Sequence, residues 1–307
     1  MNRSFVYFLL VAVMVTWGLN VVALKVLVEQ FEPVTMTALR IFTAGMAVIV
    51  VLLISKSWRW LSLRELKMIS FISLFNIVAH HYFLSVGLTE TSAVNGGLIL
   101  GLLPILTAIA AILFLRARLT PIKLAGILVA FVGVSFVVIA GGQGGFQVAK
   151  GDIFIFLSAI TQAVSFVLIK KTSPNIDIRL MTGWMMIIGS ACLMVISLSL
   201  EPNGFASMQT GEWHHYVVFF GSAIIATAVG HMFYNYAIRL IGPSESAVFT
   251  NLNPFFALIG AALLLNESIY IEQIMGFVLV AIGVVGGSGA VDHWRSTRQI
   301  KYGVVKK

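Results

Sequence analysis

Long runs of apolar residues without charges, separated by short polar segments, recur along the whole 307-residue chain. The hydrocarbon core of a bilayer is about 30 Å thick and requires roughly 20 apolar residues per helix, which is about the length of these runs. The pattern predicts transmembrane helices at residues 5–24, 34–54, 68–88, 93–115, 122–140, 153–169, 180–200, 216–238, 247–265 and 271–290. No small-residue cleavage site separates the first run from the second, so we expect a retained helix and not a signal peptide.

The second half of the chain repeats the first at a constant offset of 150 residues. The matched residues are His81 and His231, Phe83 and Phe233, Pro104 and Pro254, Gly126 and Gly276, and Gly133 and Gly283. Because the chain has only 6 histidines and 7 prolines, their coincidence at one offset indicates an internal duplication. Each half holds an odd number of predicted helices, so the second copy is expected to lie upside down in the membrane relative to the first.

These observations predict the fold class and its division. We expect an all-α membrane protein with ten transmembrane helices, in two inverted five-helix repeats around a central cavity. The expected units are a first repeat in 1–140, a Gly-rich linker in 141–150, a second repeat in 151–290 and a basic cytoplasmic tail in 291–307. The linker sequence GGQGG lacks the Gly-Lys-Ser/Thr ending of a nucleotide-binding loop. Inverted repeats are typical of secondary transporters, whose substrate sites lie near the membrane midplane.

Composition and charge place the chain in a membrane. It is 59% hydrophobic and 10% charged, and its mean hydropathy of +0.98 lies far outside the range of soluble domains. If the N-terminus is cytoplasmic, 17 of the 20 Lys and Arg residues fall on the cytoplasmic side, which predicts that both termini are cytoplasmic. Basic loops beside anionic lipid account for the net charge of +8 without a nucleic-acid partner. The single cysteine, Cys192, lies within a predicted helix and is expected in the core.

Polar side chains within the predicted helices carry the substrate hypothesis. Such groups cost a few kcal/mol in hydrocarbon and normally face a bundle interior or a wet cavity. The candidate substrate-binding residues are Trp17, Asn20, Arg40, Asn76, His80, His81, Gln162, Ser165, His231, Tyr234, Asn235, Asn251 and Asn253. Trp17 and Asn20 share a helix face, and Gln162 and Ser165 repeat that spacing. Packing and interhelical hydrogen bonding are the alternative roles.

The membrane histidines allow two roles. Asn76 and His80 are four residues apart and share a face, whereas His81 points about 100° away, so we expect only one of the two histidines to face a cavity. His81 or His231 could carry a coupling proton. The alternative is a neutral imidazole bonded to a backbone carbonyl. The spacing of the histidines does not suit a metal site.

Proline is expected to interrupt two helices. Because proline has no N–H group, Pro104 leaves the carbonyl of Leu100 without its helical hydrogen bond, and Pro254 does the same to Thr250. Each proline therefore exposes polar backbone and permits bending. The candidate gating residues are Pro104, Pro254, Gly97 and Gly101. The GxxxG spacing of the two glycines also fits simple helix packing. The spacing between Gly126 and Gly133, and between their counterparts, indicates packing alone.

Arg40 is the one cation well inside a predicted helix. It could bind a substrate carboxylate, or it could pair with helix C-terminal carbonyls or an acidic loop residue to hold a closed state. No Asp or Glu lies at the centre of a predicted helix, which favours neutral, zwitterionic or anionic cargo.

Several motifs can be compared with a known family. They are TWG at 16–18, ALR at 38–40, LLLNESI at 263–269 and QIMGFVLVAIGV at 273–284, together with the prolines in the fourth and ninth predicted helices. In these motifs the chain resembles the EamA family of the drug/metabolite transporter superfamily. The first half departs from the pattern, since Arg116 and Ala117 stand where the second half has Asn266 and Glu267. The resemblance implies a bacterial inner-membrane carrier of small metabolites, commonly an exporter of amino acids or related compounds.

The predicted function is therefore alternating-access transport of a small metabolite, either secondary-active or facilitative. A drug efflux carrier or a channel-like facilitator is the alternative. An enzyme would need a nucleophile and base, or a metal, at helical spacing, and the sequence offers neither, so we expect no catalysis and no cofactor. The expected partners are the substrate and the bilayer, with protons as an open possibility.

Overall fold

The computed structural model describes residues 3–91, 93–117, 120–141, 150–172, 174, 176–265 and 271–287. Most of the expected Gly-rich linker, the basic tail and the residues Asn266 and Glu267 lie outside this part of the chain. Within it, the regular elements are helices: α1 (Arg3–Gln30), α2 (Pro33–Ile54), α3 (Leu63–Thr89), α4 (Ala93–Leu100), α5 (Leu103–Leu115), α6 (Pro121–Gly141), α7 (Lys150–Thr172), α8 (Ile178–Leu200), α9 (Gly204–Ser207), α10 (Trp213–Ile241), α11 (Pro243–Val248), α12 (Asn253–Leu265) and α13 (Ile271–Gly287), with a 3₁₀ turn at Phe249–Leu252.

Six helices of the described chain are long and apolar enough to cross a membrane: α1, α2, α3, α7, α8 and α10. Each coincides with a predicted span. The other predicted spans fall on shorter apolar helices or on helices in two pieces. Cys192, expected in the core, is only half-buried on α8.

Two helices break where proline predicts. Helix α4 ends at Leu100, and α5 begins at Leu103, after two intervening residues, with Pro104 in its first turn. In the second half, a 3₁₀ turn separates α11 from α12, and Pro254 is the second residue of α12. Proline lacks an N–H group and its ring clashes with the carbonyl four residues earlier, which explains both interruptions. The two breaks lie close together, since a Cβ on Gly97 would be 4.0 Å from the Cα of Pro254.

Helices α3 and α10 each contain a π-helical segment that the hydrophobic pattern did not predict. The segments are Leu74–Ala79 and Ser222–Val229, which overlap at the offset of 150 residues. In the second segment the hydroxyl of Thr227 donates to the carbonyl of Ser222, five residues earlier, at 2.9 Å. π-Helical turns shift the angular phase of the residues after them and occur frequently at functional sites.

Glycines bring α6 and α13 into close antiparallel contact. Gly126 lies against the backbone at Gly283, and Gly133 lies against the carbonyl oxygen of Gly276. A Cβ at Gly126, Gly133 or Gly283 would collide with backbone atoms of the facing helix. The predicted packing role of these glycines is confirmed.

Helices α2 and α8 also run antiparallel and are joined at both ends. At one end, the Glu201 carboxylate accepts hydrogen bonds from the backbone N–H groups of Val34 (2.8 Å) and Thr35 (2.7 Å), at the N-terminus of α2. At the other end, the Arg179 guanidinium donates to the hydroxyl of Ser57 at 3.1 Å. The carboxylate satisfies N–H groups that a helix start leaves free.

Candidate functional site

A cavity lies among α1, α3, α4, α5, α7, α10 and α12. Its volume is about 70 Å³, which is room for on the order of five waters, since each needs roughly 10–15 Å³. The polar lining residues are Trp17, Asn20, His80, His81, Gln162, Thr227, His231, Thr250 and Asn253, and the apolar ones are Val21, Leu24, Leu84, Leu100, Leu103 and Ala226. None of these lining residues is a carboxylate, a lysine or an arginine.

Trp17 is held rigidly in the cavity wall. Its indole Nε1 donates to the carbonyl oxygen of Ala226 at 2.8 Å, which ties α1 to the π-helical segment of α10. The ring centroid lies 5.0 Å from that of His231 and 4.8 Å from that of Tyr234. Gly230 makes room for the indole, because a Cβ at this position would lie 2.6 Å from Nε1.

The two histidines related by the duplication meet at this cavity. The ring centroids of His81 and His231 are 5.7 Å apart, and those of His80 and His81 are 4.7 Å apart. Both neighbouring histidines line the cavity, so the expectation that only one of them faces it is wrong. The cavity borders two faces of α3, since α7 lies on the side of His80 and α10 on the side of His81.

The polar face shared by Asn76 and His80 packs against α7. The Nδ1 atom of His80 lies 2.7 Å from the hydroxyl of Ser158, and the Asn76 amide donates to the hydroxyl of Ser165 at 2.8 Å. The same amide donates more weakly to Gln162 Oε1 at 3.4 Å. Asn76 and Ser165 therefore lie behind the wall and do not line the cavity.

Arg40 also lies behind the wall. Its side chain is 1% exposed, and it donates to the hydroxyls of Thr227 (2.6 Å) and Ser222 (3.4 Å) on α10. Its Nη2 atom is 3.5 Å from Nδ1 of His81. Among the described residues no salt bridge includes Arg40. Its partners are thus hydroxyls and an imidazole, in place of the carboxylate or helix-end carbonyls expected from the sequence.

Three further candidates are buried outside the cavity lining. The Tyr234 ring lies between those of Trp17 and Phe166, with both centroid distances 4.8 Å. The Asn235 amide donates to the hydroxyl of Thr182 at 2.9 Å. Asn251 is buried but does not line the cavity, whereas Asn253 does.

The structure thus divides the predicted site residues into two groups. Those that line the cavity are Trp17, Asn20, His80, His81, Gln162, His231 and Asn253. Thr227 and Thr250 line it too and were not predicted, because a threonine in an apolar helix commonly bonds its own backbone and gives no distinctive signal. The only indication in the sequence was that Pro254 leaves the backbone carbonyl of Thr250 without its helical hydrogen bond.

Four buried atoms of the lining residues have no hydrogen-bond partner among the described residues. They are Asn20 Oδ1, His81 Nε2, His231 Nε2 and Asn253 Oδ1. Leaving a buried polar atom unpaired costs about 1–3 kcal/mol, so each requires a partner that the described residues do not supply. Water or a polar ligand fits this requirement.

The cavity is displaced toward one end of the bundle. On α1 it is lined from Trp17 to Leu24, while the residues nearer the N-terminus, including Leu10 and Met14, are buried in the core. Beyond that core, Lys123 of α6 forms an ion pair with Glu245 of α11.

The apolar helices and their enclosed polar cavity define a multi-pass membrane protein. The sequence matches one family pattern twice, over residues 4–139 and again over residues 149–288. The chain belongs to the EamA-like transporter family, so the resemblance stated from its motifs is confirmed. Membership indicates a transporter rather than an enzyme.

Relatives occur in bacteria, archaea and plants. The chain is 30% identical over 299 residues to the uncharacterized transporter YyaM of Bacillus subtilis, covering 95% of this chain and 96% of the relative. It is 26% identical to an uncharacterized transporter of Archaeoglobus fulgidus, covering 87% of this chain and 93% of the relative. It is 24% identical to the chloroplastic WAT1-related protein At3g02690 of Arabidopsis thaliana, covering 87% of this chain and 66% of that protein.

A protein of known crystal structure has the same fold. It superposes with a TM-score of 0.76 over 95% of this chain and 99% of its own, at 15% sequence identity. At this identity the similarity establishes the fold alone.

Proposed function

We propose that this protein is an alternating-access transporter, secondary-active or facilitative, that exports amino acids or related small metabolites across the bacterial inner membrane. The observation that carries the proposal is the polar, uncharged cavity enclosed by helices of both halves of the chain. The equivalent residues His81 and His231 meet at its wall. A site at the interface of duplicated halves is typical of secondary transporters.

The packing of equivalent helices supports an inverted repeat of residues 1–140 and 151–290. Helices α6 and α13, which correspond at the offset of 150, run antiparallel with reciprocal glycine contacts. Helix α1 packs on α12, and its counterpart α7 packs on α5 in the same way. Two copies related by a twofold axis in the membrane plane would make such paired contacts. The distribution of Lys and Arg favours cytoplasmic termini.

The lining of the cavity favours a neutral or zwitterionic cargo. It offers amide, imidazole, hydroxyl and indole groups, and the guanidinium of Arg40 is one layer behind the wall. A volume of about 70 Å³ suits a molecule of amino-acid size or smaller. A net charge on the cargo would lack a counter-charge at the wall and would be costly to desolvate.

Alternating access requires that one end closes while the other opens. The displaced cavity and the buried core between it and the ion pair of Lys123 with Glu245 fit a state closed at the end expected to be cytoplasmic. The two proline breaks, which lie against each other at Gly97 and Pro254, are the points where helices can bend with little loss of hydrogen bonding.

Flux measurements in proteoliposomes test the transport activity. A panel of amino acids and related metabolites, measured with and without a pH gradient, should contain a substrate with saturable, counter-transport-stimulated flux. A conductance far above carrier turnover would instead identify a channel-like facilitator. If a pH gradient drives the flux, His81→Gln and His231→Gln should abolish that dependence. Full pH dependence in both variants would exclude these histidines from proton coupling.

Cysteine labelling tests the inverted arrangement. In a Cys192→Ser background, Lys56→Cys and Asn203→Cys place single thiols after the equivalent helices α2 and α8. An impermeant reagent should reach position 56 only from the cytoplasm and position 203 only from outside. Labelling of both from the same side would contradict the inverted repeat.

A further inference from the structure

Arg40 is the largest fully buried side chain of the described residues, although it lies within a membrane helix. Its Nε atom has no hydrogen-bond partner among the described residues, and its Nη atoms contact the hydroxyls of Thr227 and Ser222 and the Nδ1 atom of His81. Burying a guanidinium without a counter-ion costs several kcal/mol. Stability therefore does not explain this residue, while its contact with two cavity-lining residues, Thr227 and His81, suggests a role at the site.

The guanidinium determines which nitrogen of His81 carries the proton. An arginine has five N–H donors and no acceptor. The Nδ1 atom of His81, 3.5 Å from Nη2, can therefore only accept, and it must present its lone pair. In a neutral imidazole the proton is then on Nε2. The free nitrogen of His81 is consequently a donor.

His231 has the opposite arrangement. Its Nδ1 atom lies 3.0 Å from the carbonyl oxygen of Thr227, which can only accept, so Nδ1 carries the proton and Nε2 presents a lone pair. Arg40 supports this ring as well. The Thr227 hydroxyl accepts from Arg40 and donates to the Ser222 carbonyl, which fixes the residue whose own carbonyl orients His231.

We infer that Arg40 is a positioning residue that gives the cavity wall a matched pair of imidazole groups, an N–H donor on His81 and a lone-pair acceptor on His231. The two rings are in contact, with centroids 5.7 Å apart, and both Nε2 atoms are buried and unpaired among the described residues. The inference rests on the proposed transport function. The pair of imidazole groups selects cargo that carries an acceptor and a donor close together, such as the carboxylate and ammonium of an α-amino acid. Molecules that carry only one of the two groups bind less well.

The tautomers can be observed without any cargo. In protein labelled with ¹⁵N-histidine and held in lipid nanodiscs, NMR should show Nε2 protonated in His81 and Nδ1 protonated in His231. The signals are assigned by their loss in His81→Gln and His231→Gln. The same tautomer in both histidines would overturn the inference.

Variants of Arg40 isolate its contribution. Arg40→Met removes the donors at similar volume, and His81 should then populate both tautomers, while Arg40→Lys, which keeps a donor, should restore the Nε2–H form at least in part. An unchanged His81 in Arg40→Met would show that Arg40 does not set the tautomer. If Arg40→Met fails to fold, Thr227→Val serves instead. It removes the hydroxyl that accepts the shortest hydrogen bond of Arg40 and that anchors Thr227 to Ser222, so both His81 and His231 should then populate both tautomers, and two unchanged histidines would overturn the inference.

Competition against counterflow of L-alanine tests the selectivity. Isopropylamine lacks the carboxylate and propionate lacks the amine, so the wild type should prefer L-alanine to both. The preference should fall about tenfold in Arg40→Met, as expected for one misdirected hydrogen bond. An equal loss for all three compounds would overturn the specificity role. Absence of L-alanine exchange in the wild type would overturn the cargo class and this role, while the tautomers would still report on Arg40 itself.

Discussion

At the scale of single residues, the cavity wall combines side chains held in place by their contacts with buried polar atoms that lack a hydrogen-bond partner among the described residues. Trp17 is fixed by its hydrogen bond to the Ala226 carbonyl and by ring contacts on its face. Asn20 and Asn253, by contrast, each keep a buried oxygen without a partner among the described residues. Rigid apolar surface together with unpaired polar atoms is the usual composition of a small-molecule site.

Gly230 is expected to be sensitive to substitution because of Trp17. In Gly230→Ala the new Cβ would meet the indole nitrogen, so Trp17 must move and its hydrogen bond to Ala226 must break. We expect transport to fall at least tenfold and the protein to remain folded. Flux in proteoliposomes measures the first effect, and thermal unfolding in detergent measures the second.

Gly221→Ala is the matched control, because it lies on the same helix and a Cβ there would meet nothing within 4 Å. Its flux should match the wild type. Equal flux in Gly221→Ala and Gly230→Ala would mean that the position of Trp17 does not matter for transport.

The sequence predicted most of the polar wall but did not separate it from the layer of polar residues behind it. Helical phase and the cost of polar groups in hydrocarbon brought out Trp17, Asn20 and the histidines, which line the cavity. The same reasoning could not separate these from Tyr234 or Asn235, since a cavity wall and a buried interhelical contact impose the same polarity on a sequence. Only the positions of the neighbouring helices decide between them.

At the scale of helices, boundaries depend on caps and on backbone geometry that hydrophobicity does not encode. Hydropathy placed the start of the third helix at residue 68, whereas the Ser62 side chain accepts from the Glu65 backbone and starts α3 at Leu63. The prolines predicted both helix breaks. The π-helical segments were not predictable, because their residues are apolar like those of a regular helix.

The N-cap of α8 gives a pH-dependent contribution to stability. The Asp177 side chain accepts from the Arg179 backbone N–H at 2.8 Å, and the hydrogen bond from the Arg179 side chain is the main reason that the pKa of Asp177 is lowered from 3.8. Since the pKa is lowered on folding, the contribution is complete above the ordinary value and is lost as pH falls below it toward the folded-state value.

Asp177→Ala should destabilise the protein by about 1 kcal/mol at neutral pH, because the cap is lost. Asp177→Asn keeps a capping side chain and should cost less. Thermal unfolding in detergent, at neutral pH and below the usual aspartate pKa of about 3.9, checks this. The difference between Asp177→Asn and the wild type should shrink in acid, and a constant difference would contradict the assignment.

The glycine contacts between α6 and α13 predict a cost for added bulk. In Gly133→Ala the Cβ would overlap the Gly276 carbonyl oxygen and the Val280 backbone nitrogen, so the helices must separate. We expect a loss of about 1–3 kcal/mol, typical of overpacking, measured by thermal unfolding in detergent. Gly221→Ala again serves as the control, and equal stability of the two variants would contradict the tight interface.

At the scale of the whole molecule, the ion pair of Lys123 and Glu245 joins the first half to the second at the end of the bundle away from the cavity. The two side chains are 19% and 13% exposed, so the pair is shielded from solvent screening more than a surface pair would be. Opening this end requires the pair to separate. In the proposed alternating-access cycle, the strength of this ion pair would therefore bias the equilibrium between the two access states.

Lys123→Gln or Glu245→Gln should shift that equilibrium toward opening at the end expected to be cytoplasmic. In a Cys192→Ser background, a cysteine replacing the buried Val13 should react several-fold faster with an impermeant reagent applied from that side. Arg59→Gln is the control, since it breaks an ion pair with Glu65 that lies within the first half alone. Unchanged reactivity in both Lys123→Gln and Glu245→Gln would show that this ion pair does not hold the end closed.

The contacts at both ends of α2 and α8 have a consequence for the covalent continuity of the chain. Glu201 binds the backbone of Val34 and Thr35 in the other half, and Arg179 binds Ser57 there. Non-covalent attachment at two distant points can hold two polypeptides in register without a peptide bond between them. Residues 3–141 and 150–287, produced as separate fragments in one cell, should therefore reassemble and co-purify.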